Sequence, residues 1–478
     1  MVIQSERDDG ESEAMHSPGW FAEGPLRRLL GNASLLVGGR SLNAVFNVVA
    51  MTLIVRSVGL ETFGSLVLVH AVMSTISDLA KFQSWQAVLR YGTPALEQRR
   101  TTDFRRLIKL TVLLDLGSAL FGMAVALVAV PLLAPHLDWS PEWVPVIQAY
   151  AFSILFMVTA TPTGLLRLFD RFDLLSVSNA IGSSLRVVGA IWVFVHGGGL
   201  EILLGIWFAS TLTSGLWLIG HAYRTLSTRG LLQGPRLGYR DLTSGHPGIA
   251  AFVWTTQANT TLASAMRHLT TVVVGFLLTP VAAGLYDISR QVTTLLSRFA
   301  KLMQPAIYPE FARLSVQNDM HAIRQLILRS MVLMTGAGIL LLIPLVAFGK
   351  PLLGFIFGQE LEAAYGLLIL MAVAALIRLL SFPLEPALIS TGRAGMALLI
   401  RAATVVVFLL GLFVLIPRVG LIGAGMAGLA SALVAFSGEA MAAIDWFRRR
   451  TAEGPTTPGS AGSIASGNHP GEGQAPES

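Results

Sequence analysis

RSMVLMTGAGILLLIPLVAFG, residues 329–349, runs for twenty positions after its opening arginine without a charged side chain. A helix rises 1.5 Å per residue, so about 20 apolar residues cross the hydrocarbon of a bilayer. A helix buried in a soluble core is usually shorter than that. Comparable runs occupy 33–55, 63–82, 108–134, 143–166, 174–195, 200–221, 249–277, 282–303, 361–381, 395–417 and 419–446. Outer-membrane barrels instead show strands of about 10 residues that alternate apolar and polar positions. Continuous runs of helical length, with every backbone group satisfied inside its own segment, leave helices as the spanning element. The expected fold is an all-α polytopic membrane protein with about 12 transmembrane helices.

Composition agrees. The 478 residues are 53% hydrophobic and only 13% charged, with a mean hydropathy of +0.64; soluble domains carry about 25% charged residues. No cysteine is present, which excludes disulfides, thiolate nucleophiles, cysteine-ligated zinc and iron–sulfur clusters. The formal charge of +6 reads as the basic loops of a membrane protein rather than as a nucleic-acid footprint, and no nucleic-acid partner is expected. Residues 1–24 are acidic (Glu6, Asp8, Asp9, Glu11, Glu13, Glu23) and lack the apolar core of a cleavable signal. Residues 1–32 are therefore expected to form a cytoplasmic arm, and 447–478, rich in Gly, Pro and Ser from 454, a cytoplasmic tail.

The loops test the span count independently, because Lys and Arg collect on the cytoplasmic side. Connections after odd-numbered spans carry only Arg56, Lys350 and Arg418, whereas those after even-numbered spans and the two ends carry twenty-two basic residues. A miscounted span would scramble that alternation. An even number of spans in the inner membrane, with both termini inside, is expected. The second half also repeats the first at an offset of about 220: Gly64, Val72, Ser77, Ala80 and Lys81 recur as Gly284, Val292, Ser297, Ala300 and Lys301. This divides the chain into two pseudo-symmetric six-helix lobes, 33–221 and 249–446, joined by a basic linker at 222–248. Transporters with such repeats hold substrate between halves and alternate access by rocking them.

Nine basic residues fall within or at the ends of spans: Arg40, Lys81, Arg186, Arg267, Arg290, Arg298, Lys301, Arg378 and Arg401, against the acidic Asp78, Asp115, Asp287, Glu385 and Glu439. A charge at a helix centre costs at least about 2.5–3.5 kcal/mol, so these groups face protein or water rather than lipid. The excess of cations implies a wet, net-positive cavity suited to phosphate oxygens, with guanidinium forks as donors. Cavity lining is read first for Arg40, Arg267 and Arg290, then for Arg186, Arg378 and Arg401. Snorkelling to headgroups is the competing reading for Lys81, Arg298 and Lys301 near span ends, which with Arg56 and Asp78 are candidates for a gate or portal. Asp287 and Arg290, three apart on one helix, have the alternative of pairing with each other. Asp287, Glu385, His70 and His268 are candidates for proton or ion coupling. No catalytic group, cofactor or metal site is expected, since the histidines lack ligand spacing and Gly349-Lys350 is not a phosphate-binding loop. Gly423-Ala-Gly425-Met-Ala-Gly428 lies inside the last span with no strand–helix units around it, so close helix packing accounts for it better than dinucleotide binding.

The segment Arg56-Ser-Val-Gly59-Leu-Glu61-Thr-Phe63-Gly64-Ser-Leu, running on to Leu89-Arg90-Tyr91-Gly92, resembles the start of polysaccharide transporters. These are the Wzx-like oligosaccharide flippases of the multidrug/oligosaccharidyl-lipid/polysaccharide (MOP) exporter superfamily. Gly284-Leu285-Tyr286 and Ser390-Thr391-Gly392-Arg393 resemble its later connections. The resemblance implies a MATE-like fold and translocation of an undecaprenyl-pyrophosphate-linked repeat unit, as for O-antigen, lipopolysaccharide or exopolysaccharide. It implies no enzymatic step. Membrane lipids, a polysaccharide polymerase and a chain-length regulator are the partners it brings. Lipid II flippases of the superfamily carry an Arg-Asp pair late in span one; Val48 to Val55 contains neither residue, which argues against a peptidoglycan precursor. Two rivals remain: a cation-coupled multidrug exporter, which would favour an acidic cavity, and a membrane glycan polymerase or ligase, which would need a larger outer loop.

Overall fold

The computed structural model describes residues 25–233, 248–316 and 320–452. The arm before residue 25, the linker from 234 to 247 and the tail after 452 lie outside the described residues. The helices are α1 Pro25–Ala80, α2 Ser84–Glu97, α3 Thr101–Leu133, α4 Val144–Ala151, α5 Ile154–Met157, α6 Ala160–Leu168, α7 Phe172–His196, α8 Leu200–Thr228, α9 Ile249–Leu277, α10 Pro280–Val316, α11 Met320–Phe357, α12 Tyr365–Ser381, α13 Leu384–Ser390, α14 Ala394–Val419 and α15 Ile422–Ala452. No strand occurs among the described residues. All twelve expected spans fall on helix, and nine helical segments among the described residues are both long and apolar enough to cross a bilayer. The outward face of α11 shows why a bilayer is needed. Val332, Leu340, Phe348 and Phe355, seven or eight positions apart, are 66–79% exposed, a continuous apolar stripe that water would not tolerate.

Four details differ from the sequence reading. The connection expected at 56–62 contracts to one non-helical residue, Gly59 (φ 84°, ψ 168°), a conformation open in practice only to glycine. The fourth span is discontinuous, broken into α4, α5 and α6. The stretch after Phe82, read as a connection, contains α2, whose buried Ser84, Ala87, Val88, Gly92 and Ala95 recur every three or four positions; that spacing seats one face on α3 and α6. Finally, α8 continues seven residues past the expected end at 221, because Ala222 and Leu226 are buried against Phe104, Val88 and Leu165.

Contacts divide the chain into Met1–Gly284 and Leu285–Ser478. In the first unit α7 packs between α1 and α8, and α9 packs on α1 and α2. Thus α9, placed by the sequence at the head of a second lobe beginning at 249, has its main contacts with α1 and α2. Glycines admit this approach: Gly275 lies against Leu68, and Gly64 against the Pro280 carbonyl. In the second unit α15 packs on α12 and α14. A β-carbon at Gly423 would stand 2.6 Å from the Leu415 carbonyl and one at Gly425 2.9 Å from Leu370 Cβ, so the small-residue motif is a packing seam. Phe311, Ile323, Leu384 and Trp446 form a shared core joining α10, α11, α13 and α15.

Candidate functional site

The α7–α8 seam sets the site. Gly182 on α7 leaves room for Ser214 on α8, and Ser178 Oγ donates to the Ser214 carbonyl at 3.2 Å. Ser210 Oγ donates to the Gly182 carbonyl at 2.9 Å and accepts from Arg186 Nε at 3.1 Å. The guanidinium also lies 5.2 Å from the Trp207 ring centroid, within cation–π range. One helix turn of α7 and one of α8 therefore hold Arg186 by a hydroxyl and an aromatic face. No carboxylate forms an ion pair with it among the described residues. A guanidinium carries five donors, so Nε occupation leaves four on the two Nη groups, and Arg186 lines the space beyond.

That space is a polar cavity of about 360 Å³ within the first unit, lined by α1, α7, α8, His268 of α9 and the break in span four. Its wall carries Asn43, Asn47, Ser74, Ser77, Thr159, Asn179, Ser183 and Thr211 beside Arg186. Asp78 and Lys81 also line it, paired with each other one turn apart on α1. Among the Asp, Lys and Arg side chains of the lining, the Asp78–Lys81 pair cancels and Arg186 leaves one positive charge. His70 reaches into the same wall and its Nδ1 lies 2.8 Å from the hydroxyl of Tyr150, which is 2% exposed.

The break in span four has a local cause. Pro162 has no N–H to give a preceding turn, and the chain leaves helical geometry at Val158 and Thr159, with Val158 at φ −88°, ψ 86°. Gly215 of α8 accommodates Phe156, since a β-carbon there would meet the Phe156 carbonyl at 2.8 Å. The freed Thr161 N–H donates to Asp115 Oδ2 of α3 at 2.6 Å. Irregular backbone at membrane depth is tolerated where it is buried in protein or lines a wet cavity, and Phe156, Met157 and Thr159 do line this one.

Of the residues singled out from sequence, His70, Asp78, Lys81, Arg186 and His268 share this cavity. The side chains of Arg40, Arg267, Arg298 and Lys301 lie outside the described residues. Arg56 is exposed three residues before the Gly59 break. In the second unit, Arg290 takes the pairing alternative: its Nε donates to Asp287 Oδ1 at 3.1 Å, its Nη2 donates to the same oxygen, and Gln291 donates to Oδ2 at 3.1 Å. Arg401 donates to Glu385. Arg378, in the last turn of α12, has no ion pair among the described residues. The charge balance drawn from counting thus resolves locally, because three carboxylates each take a cation on their own or a neighbouring helix. No group of three or more metal-ligating side chains occurs among the described residues. Sequence reading passed over Ser210, Trp207 and Tyr150, whose role depends on which helix faces which; apolar helices carry many such residues, and only the α7–α8 pairing singles these out.

Comparison with known proteins gives the family. Residues 29–315 match the family model described as polysaccharide biosynthesis protein. The chain belongs to the polysaccharide biosynthesis protein family. The match includes both segments, Arg56–Leu66 and Leu89–Gly92, that carry the resemblance to polysaccharide transporters. Across 351 residues the family member described here is 31% identical to the inner membrane protein YghQ of Escherichia coli K12, covering 73% of this chain and 98% of the relative. Its fold is found among solved structures. An inward-facing multidrug resistance MATE family transporter of the MOP superfamily aligns with a TM-score of 0.66 at 13% identity, over 85% of this chain and 96% of that one. The lipid II flippase MurJ in an inward closed conformation aligns with a TM-score of 0.66 at 12% identity, over 87% and 89%. This is a multi-pass membrane protein of the polysaccharide biosynthesis protein family, with the fold of those two structures.

Proposed function

We propose that this protein flips an undecaprenyl-pyrophosphate-linked oligosaccharide from the inner to the outer leaflet of the inner membrane by alternating access, making and breaking no bond. One observation carries the reading: Arg186, held by Ser210 and Trp207 without a carboxylate partner among the described residues, is the unbalanced charge of a cavity that also carries the Asp78–Lys81 pair, hydroxyls, amides, imidazoles and a few apolar side chains. Guanidinium forks suit phosphate oxygens, and the hydroxyls and amides suit a glycan's own hydroxyls. A multidrug exporter for organic cations would need the opposite polarity. Arg40 sits one turn before the cavity residue Asn43 on α1, and Arg267 immediately before the cavity residue His268 on α9; both are proposed as companions of Arg186 for the second phosphate. Arg290, Arg378 and Arg401 are proposed to serve the head group from the second unit at other stages of the cycle. Arg56, Arg298, Lys301 and the Asp78–Lys81 pair are proposed as gating groups, and Asp287, Glu385, His70 and His268 as coupling groups. A glycan polymerase and a chain-length regulator would act on the delivered lipid.

The test is transport of a fluorescent polyprenyl-pyrophosphate oligosaccharide in proteoliposomes. Losing a charge-assisted hydrogen bond of about 1.5–3 kcal/mol predicts that Arg186→Gln slows flipping by about tenfold to a hundredfold, while Arg186→Lys keeps the charge and loses less. Wild-type rates from Arg186→Gln, or transport of a cationic dye in place of the glycolipid, would overturn the proposal.

A further inference from the structure

A second cavity, of about 320 Å³, lies away from the polar one, between the N-terminal turns of α3 and the end of α8. Phe104 and Leu226 form its floor, both continuous with the buried core beneath. Its outer wall comes from a helix stop. Gly230 at φ +68° donates to the Ser227 carbonyl and Leu231 N–H donates back to Leu226 O at 3.0 Å, the closure that glycine makes possible after a helix. The chain turns there, so that Leu231 packs on the core and Leu232, 39% exposed, stands beside it. On the α3 side Val112 and Leu113 are 46% and 37% exposed. One turn nearer the helix start, Arg105 and Lys109 line the same groove four residues apart, hence on one face of α3.

The order along α3 is therefore cation, cation, then exposed apolar side chains, which matches the order of a membrane lipid from headgroup to chain. We propose that this groove binds one anionic glycerophospholipid, its phosphate at Arg105 and Lys109 and an acyl chain along Val112, Leu113 and Leu232. The argument rests on charge complementarity. Basic pockets between membrane helices hold anionic headgroups, and each Lys or Arg near the surface adds about fivefold in affinity. A zwitterionic lipid offers the same chains without net charge, and free phosphate offers the charge without chains.

Native mass spectrometry of the full-length protein, released from micelles containing equal phosphatidylglycerol and phosphatidylcholine, tests this. One phosphatidylglycerol is expected to stay bound at activation energies that strip phosphatidylcholine. Arg105→Gln with Lys109→Gln should reduce that retention by about tenfold or more, given the contribution of two cations. Arg99→Gln with Arg171→Gln, at the same end of the molecule but outside the groove, should leave it unchanged. Leu113→Trp, which fills the groove and keeps both cations, should also weaken it. Size-exclusion profiles report folding for each variant. Four results overturn the site: no preference for phosphatidylglycerol, equal loss in the control variant, full retention in Leu113→Trp, or displacement by excess inorganic phosphate.

Discussion

A β-carbon at Gly182 would stand 2.6 Å from Ser214 Oγ, closer than packed side chains approach, so this glycine sets the distance between α7 and α8. Two effects oppose each other in Gly182→Ala. Alanine gains about 1 kcal/mol of helix propensity, while overpacking a tight contact costs about 1–3 kcal/mol. Because Ser214 Oγ is also held by the Ser210 carbonyl at 2.8 Å, it has little freedom to move, and the clash wins. Gly182→Ala is expected to lower the thermal unfolding midpoint in detergent and to weaken glycolipid flipping by displacing Ser210 from Arg186. Gly182→Ala with Ser214→Gly removes the obstacle and should recover the midpoint; no recovery would show that the contact is not the cause. At this scale the sequence showed the charged half of the site. Arg186, Asp78, Lys81, His70 and His268 stand out because ionisable groups in apolar runs are rare and costly. The hydroxyl and aromatic partners do not stand out, since Ser210 and Trp207 look like dozens of other positions until two helices are paired.

At the scale of the element, the run 143–166 carries no charged residue and gave no sign of a break beyond Pro162. The discontinuity follows from Pro162 together with Gly215, which lies on another helix and far along the chain. Asp115, buried at 6% exposure, takes up the Thr161 N–H that the break frees. Asp115→Leu removes a charge-assisted acceptor worth about 1.5–3 kcal/mol and leaves a buried N–H without it. The expected outcome is a clear drop in thermal midpoint and loss of flipping through a disordered Phe156–Thr159 wall. Asp115→Asn keeps an oxygen acceptor and should retain most of both. Asp115 does not line the cavity, so the affinity for glycolipid, measured separately from the rate, should change less in Asp115→Asn than in Arg186→Gln. Equal damage from Asn and Leu would show that the negative charge, rather than the acceptor, is what α6 requires. Helix α2 was illegible for a different reason: fourteen residues with one buried face are too short to cross a bilayer, and a search for spans passes over them.

For the whole molecule, an all-helical membrane protein was legible because a bilayer fixes element length, and nine segments of that length occur among the described residues. The packing of α9 on α1 and α2 was not legible. Its apolar run reads the same in either half, and its membership of the first unit depends on Gly64 and Gly275 meeting Pro280 and Leu68, contacts between residues some two hundred positions apart. The alternation of basic loops makes a sharper claim than a span count, since it assigns a side of the membrane to every connection. The chain has no cysteine, so single substitutions report position without a background. Cysteines replacing the exposed Gln98 and Thr228 fall in connections dense in arginine, and those replacing the exposed Glu142 and Ala363 in connections that carry few basic residues. A membrane-impermeant maleimide applied to intact cells should label the Glu142 and Ala363 variants and reach the Gln98 and Thr228 variants only after permeabilisation. Long loops can translocate regardless of charge, but these connections are short, the regime in which Lys and Arg set orientation. The reverse pattern would invert the molecule and turn the proposed inward loading of Arg186 into outward loading. A mixed pattern among the four sites would mean that a helix counted as a span does not cross.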